Sequence, residues 1–73
     1  MKQELINYIE ERLLHADRLR SKILTESFEN QAFGAVEFYY KTHNKTNPQD
    51  CAEIVERWNK DWSIKFFELK INS

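Results

Sequence analysis

Residues 47–71 read NPQDCAEIVERWNKDWSIKFFELKI, and this stretch decides the fold. Asn47 is a capping residue, Pro48 stands at the first helical position where no amide donor is needed, and Asp50 puts a carboxylate at the positive helix end. A helix starts there. Cys51, Val55, Trp58, Trp62, Phe66 and Leu69 then recur at spacings of four and three, as one buried helical face requires. Glu53 with Arg57, Glu56 with Lys60 and Asp61 with Lys65 are acid-to-base pairs one turn apart in the favourable order. The spacing predicts a helix over 48–70. An alternative stands beside it: Phe67-Glu68-Leu69-Lys70-Ile71 alternates like a strand and Val36 to Tyr40 is rich in β-formers, which allows an α+β fold with a short strand near 65–71.

Upstream lies a polar connector, residues 42–47, and before it a segment over about 27–42 with Phe28, Ala32, Ala35, Val36 and Tyr39 on one helical face. Phe33, Phe38 and Tyr40 flank that face, leaving a narrow polar sector of Asn30, Gly34, Glu37 and Lys41. Residues 3–24 form another amphipathic segment, with Leu5, Ile9, Ala16, Leu19 and Ile23 on a stripe widened by Ile6, Leu13 and Leu24. Leu14 projects away from it, and Arg12 and Arg20 lie within it or at its edge. One continuous helix would point the two apolar faces about 140° apart, so a break is expected near 25–27, with Thr25 or Ser27 as cap. The fold class read from this is an all-α, single-domain bundle of three helices, about 3–24, 27–42 and 48–70. Ile9, Leu13, Val36, Tyr39, Val55, Trp58 and Trp62 occupy the central lines of the stripes and are the expected core.

Composition bounds the function. A chain of 73 residues buries only about 60% of the surface its unfolded form exposes. It has one cysteine and two histidines, too few for an internal disulfide or a four-ligand zinc site, so self-association is the expected supplement to the core. No apolar run approaches the ~18 residues of a membrane span, and Met1-Lys2-Gln3-Glu4 leads into mixed charge, from which a cytoplasmic location is expected. A net charge of −1 with interspersed signs gives no broad basic face for nucleic acid. The preference for Lys, Asn and Ile over Gly, Pro and Ala points to an AT-rich bacterial or phage genome, and a regulator or inhibitor carried by a mobile element is one form such a protein takes.

Catalytic constellations do not assemble. Cys51 falls in the first turns of a helix, where the dipole can activate a thiol, but Asp50 and Glu53 oppose that and the apolar stripe begins at Cys51 itself, which reads as a small buried hydrophobe. Glu11 and His15 lie one turn apart and would offer two metal ligands, an incomplete set. Trp58 and Trp62 either form a stacking platform or belong to the core, and their place in the stripe favours the core. Arg12 and Arg20 must snorkel, pair with a carboxylate or stack on a ring. Ile64, Phe67 and Ile71 line a second side of the last helix, for which three short helices offer no interior.

The sequence therefore predicts a non-enzymatic protein-interaction module without metal or cofactor, a homodimer or a partner for another protein, docking through Phe33, Tyr40, Ile64, Phe67 and Ile71 with Arg12 and Arg20 beside them. The alternative is a three-helix nucleic-acid binder using Lys41, His43 and Lys45 on phosphates.

Overall fold

The structure, a computed structural model covering residues 1–73, is all-α. Helix α1 spans Lys2–Leu19, α2 spans Lys22–His43, and a long third helix is built of α3 (Pro48–Arg57), a π-helical turn (Trp58–Trp62) and α4 (Ser63–Ile71). Residues 65–71, where a strand was the alternative, are helical throughout. The helices run up, down and up. Lys2 meets Asp50 and Glu53 while Glu10 meets Arg57, so α1 and the third helix run in parallel. Cys51 lies against the Tyr39 carbonyl at one end of α2 and Lys70 pairs with Glu29 near the other, so α2 runs antiparallel to the third helix.

The first break falls at Arg20 and Ser21, not at 25–27. Arg20 adopts the left-handed conformation with φ 51° and ψ 41°, its amide donating to the Ala16 carbonyl, and the Ser21 hydroxyl caps α2 by accepting from the Leu24 amide at 3.2 Å. Thr25, one of the two candidate caps, is fully buried inside α2, and Ser27, the other, lies within the helix. The Thr25 methyl extends the stripe formed by Ala32, Val36 and Tyr39 at helical spacing, and that is why the helix begins a turn earlier. Leu19, Ile23 and Leu24, counted in the first stripe, are exposed around the junction. Pro48 stands at the start of α3 as expected, but the Asn47 side chain makes no capping bond, and Asp50 turns instead to Lys2.

Leu5, Ile9, Ala16, Ala32, Val36, Tyr39, Cys51, Ile54, Trp58, Trp62 and Phe66 form the buried core. Leu13 and Val55, expected within it, are only half-buried and pack at its edge. Ile54 takes the central place on α3 because it lies three residues after Cys51 and four before Trp58. That rolls Val55 by about 100° toward α2. The π turn explains the repeated four-residue spacing of Trp58, Trp62 and Phe66. Ser63 donates its amide to the Trp58 carbonyl five residues back, which absorbs one extra residue and keeps all three rings facing inward.

Candidate interaction face

Twelve large apolar side chains are exposed on this bundle. Phe33, Phe38, Tyr40, Ile64, Phe67 and Ile71 are all exposed, Phe67 by 57% and Ile71 by 62%. Five of these six were expected to dock a partner, and two of the five, Phe33 and Tyr40, line one groove. Phe33 and Tyr40 are two turns apart on the side of α2 that meets the third helix, and with Val36, Val55 and Trp58 they line an open groove of about 340 Å³. Trp58 is its floor, its ring 5.5 Å from that of Phe33 and 5.9 Å from that of Phe66. Glu37, Lys41 and Asn59 form its rim.

The ion pair between Lys70 and Glu29 fixes where α4 stands relative to this groove. Phe33 is one turn from Glu29 and Phe67 one turn from Lys70, both toward Trp58, so the two rings flank the same seam between α2 and α4. Ile64 and Ile71, at i−3 and i+4 from Phe67, continue its row on the outer side of α4, turned away from buried Phe66. Phe33 and Phe67 thus border the seam between α2 and α4, with Ile64 and Ile71 on its solvent side.

Arg12 and Arg20 stand apart from this face. Arg12 is held inside the chain: its guanidinium carbon lies 5.2 Å from the Phe28 ring centroid and 5.4 Å from that of Tyr8. It donates to the Glu11 carboxylate at 2.7 Å, the Gln31 carbonyl oxygen at 3.2 Å and His15 Nδ1 at 3.1 Å, leaving only its buried Nε without an acceptor. Because guanidinium only donates, His15 accepts through Nδ1. Arg12 thus bridges Glu11 and His15, the two residues the sequence offered as a metal pair. Arg20 closes α1 and turns back on it, donating to the Asp17 carbonyl at 2.8 Å and pairing with its carboxylate at 3.1 Å.

Elsewhere the reactive groups are sealed. Burial, with Asp50 beside it, pushes the Cys51 thiol up, so the helix dipole does not produce a thiolate. Burial likewise raises the Tyr39 phenol, over which His43 stacks at 4.5 Å. No group of three or more His, Cys, Asp or Glu side chains is placed to hold a metal ion, and no helix is long and apolar enough to cross a membrane.

No family model, curated protein or solved structure matches the chain. Its function is therefore read from this face.

The sequence missed two features of the face. Val55 joins the groove instead of the core, and the π turn decides how Trp58 is presented there; the consecutive four-residue steps from Trp58 to Phe66 were the available signal.

Proposed function

We propose that the protein is a non-enzymatic interaction module that binds a protein chain through the face shared by α2 and the third helix. The observation that carries this reading is the pair of exposed rings, Phe33 and Tyr40, over a groove floored by Trp58, with exposed Ile64 and Phe67 on the neighbouring α4. Burying such aromatic anchors against a partner supplies ~25 cal/mol for each Å² of apolar surface removed from water. Charged side chains at the rim, with an apolar floor, match the usual anatomy of a protein interface.

Charge placement supports this reading over nucleic-acid binding. Arg57, Lys60 and Lys65 on the third helix are paired with Glu10, Glu56 and Asp61, so the side of the helix that would approach a groove carries no net positive field.

The test compares the wild type with Phe67→Glu. Both should give the same helical circular dichroism and melt within about 5 °C of one another, because Phe67 is exposed. The wild type should form a protein complex, visible as added mass in solution or as a partner retained on a column, that the variant does not form. A salt-dependent shift of nucleic acid by both proteins, with no protein complex from either, would overturn the proposal.

A further inference from the structure

Gly34 sits in the middle of α2 with nothing in its own chain to require it. Its φ is negative, and a Cβ added there would meet nothing within 4 Å. A glycine in an exposed helix interior weakens the helix relative to alanine. A glycine there leaves room for close approach of another surface, as where two helices cross at short range. Gly34 follows Phe33 and lies about 100° round α2 from it, on the outer side of the helix.

Charge around this point is self-complementary. Glu26 lies seven residues before Phe33 and Lys41 seven after Gly34; both are exposed. The salt bridges of the chain use neither of them, nor Glu37. Helix geometry puts Glu26, Asn30, Phe33 and Glu37 on one line along α2, with Lys41 at its border. If a second α2 is laid antiparallel over the first with the centre at Phe33 and Gly34, each Glu26 meets the partner's Lys41. Each Asn30 then meets the partner's Glu37, and each Phe33 the partner's Gly34.

We infer that the occupant of the face is a second copy of this chain, related by a two-fold axis through Phe33 and Gly34. Such an axis makes every contact twice, so Glu26 and Lys41, both open and equidistant from its centre, each meet their opposite on the partner, while Glu37, the other open acid of the line, meets the partner's Asn30. In this arrangement Phe67, displaced from the axis toward the Lys70 end, faces the partner's groove on the opposite side of the axis, between Tyr40 and Val55. This inference rests on the docking face proposed above and adds the identity and register of its occupant.

Sedimentation equilibrium of the full chain tests it. The wild type should be dimeric in the micromolar range. Glu26→Lys and Lys41→Glu should each raise the dimer dissociation constant by about tenfold or more through like-charge contact, and the double reversal should restore it to within about threefold. Gly34→Gln should raise the melting temperature of the monomer while weakening the dimer, two effects of opposite sign that a misfolded variant does not give. A dimer indifferent to both charge reversals and to Gly34→Gln, yet abolished by Phe67→Glu, would overturn this register and leave the docking face standing. A wild type of monomer mass throughout the micromolar range would overturn the dimer. In that case the proposed function stands if a different protein is captured by wild type and lost with Phe67→Glu.

Discussion

The guanidinium carbon of Arg57 stands 4.5 Å from the centroid of the Trp62 ring, five residues further along the same helix. In an α-helix, residues five apart point about 140° away from each other. The π turn beginning at Trp58 widens the coil and makes them neighbours, so this stack belongs to the extra residue held there.

Deleting one exposed residue from the turn should therefore be tolerated. Without Lys60, Trp58, Trp62 and Phe66 would follow at spacings of three and four, the register of an uninterrupted α-helix, and melting should stay within about 5 °C of wild type. Inserting one alanine after Asn59 should turn α4 by about 100°, carry Phe66 out of the core and destabilise the fold by more than about 3 kcal/mol. Thermal unfolding of both variants checks this; the idea fails if the deletion is the more damaging.

Thr25→Val should stabilise the protein. The Thr25 side chain is fully buried and its hydroxyl has no hydrogen-bond partner, so an isosteric methyl removes an unsatisfied group without opening a cavity. A gain of about 1 kcal/mol is expected, or ~4–8 °C in Tm for a domain of this size. A loss of stability would show that the hydroxyl is satisfied in solution.

Arg20→Gly should also stabilise, by up to about 1 kcal/mol. A positive φ brings Cβ against the following carbonyl in any L-residue, and glycine removes that clash. The exposed contact with Asp17 that is lost contributes little. Chemical denaturation of the variant, with an unchanged slope, measures the difference.

Stability should fall at alkaline pH. Cys51 and Tyr39 are raised by burial, and the Glu53 carboxylate, with Asp50, holds the Lys2 ammonium above its usual range. All three folded-state values lie above the unfolded ones, so their contribution is complete below about pH 8. It is lost as the unfolded thiol, phenol and ammonium release protons that the folded chain retains. Cys51→Ala should move the onset of the fall up toward about pH 10, where a tyrosine phenol and a lysine ammonium of the unfolded chain begin to release protons. Urea midpoints of wild type and variant at pH 7, 9 and 10 decide it; parallel curves would exclude Cys51 as the group responsible.

What the sequence disclosed, it disclosed through periodicity. Proline at the start of α3 and the stripe from Cys51 to Leu69 show the third helix, and the second row of Ile64, Phe67 and Ile71 shows the exposed face. The break after α1 was hidden because threonine serves equally as a cap and as a buried methyl, and at position 25 burial prevails. A left-handed arginine leaves no trace in the sequence, since only glycine or asparagine announces that conformation. Arg12 gave a partial signal: its place near the stripe required a partner, but nothing short of the fold names Phe28, Gln31 and His15 together.

The two tryptophans also make the molecule its own optical probe. Trp62 is wholly enclosed, its indole hydrogen without an acceptor, so its emission should be blue-shifted and should change only when the chain unfolds. Trp58 floors the groove against Phe33, where anything that settles on the face alters its surroundings. With Trp62 replaced by phenylalanine, the remaining fluorescence would follow occupancy of the face in real time, with no label attached.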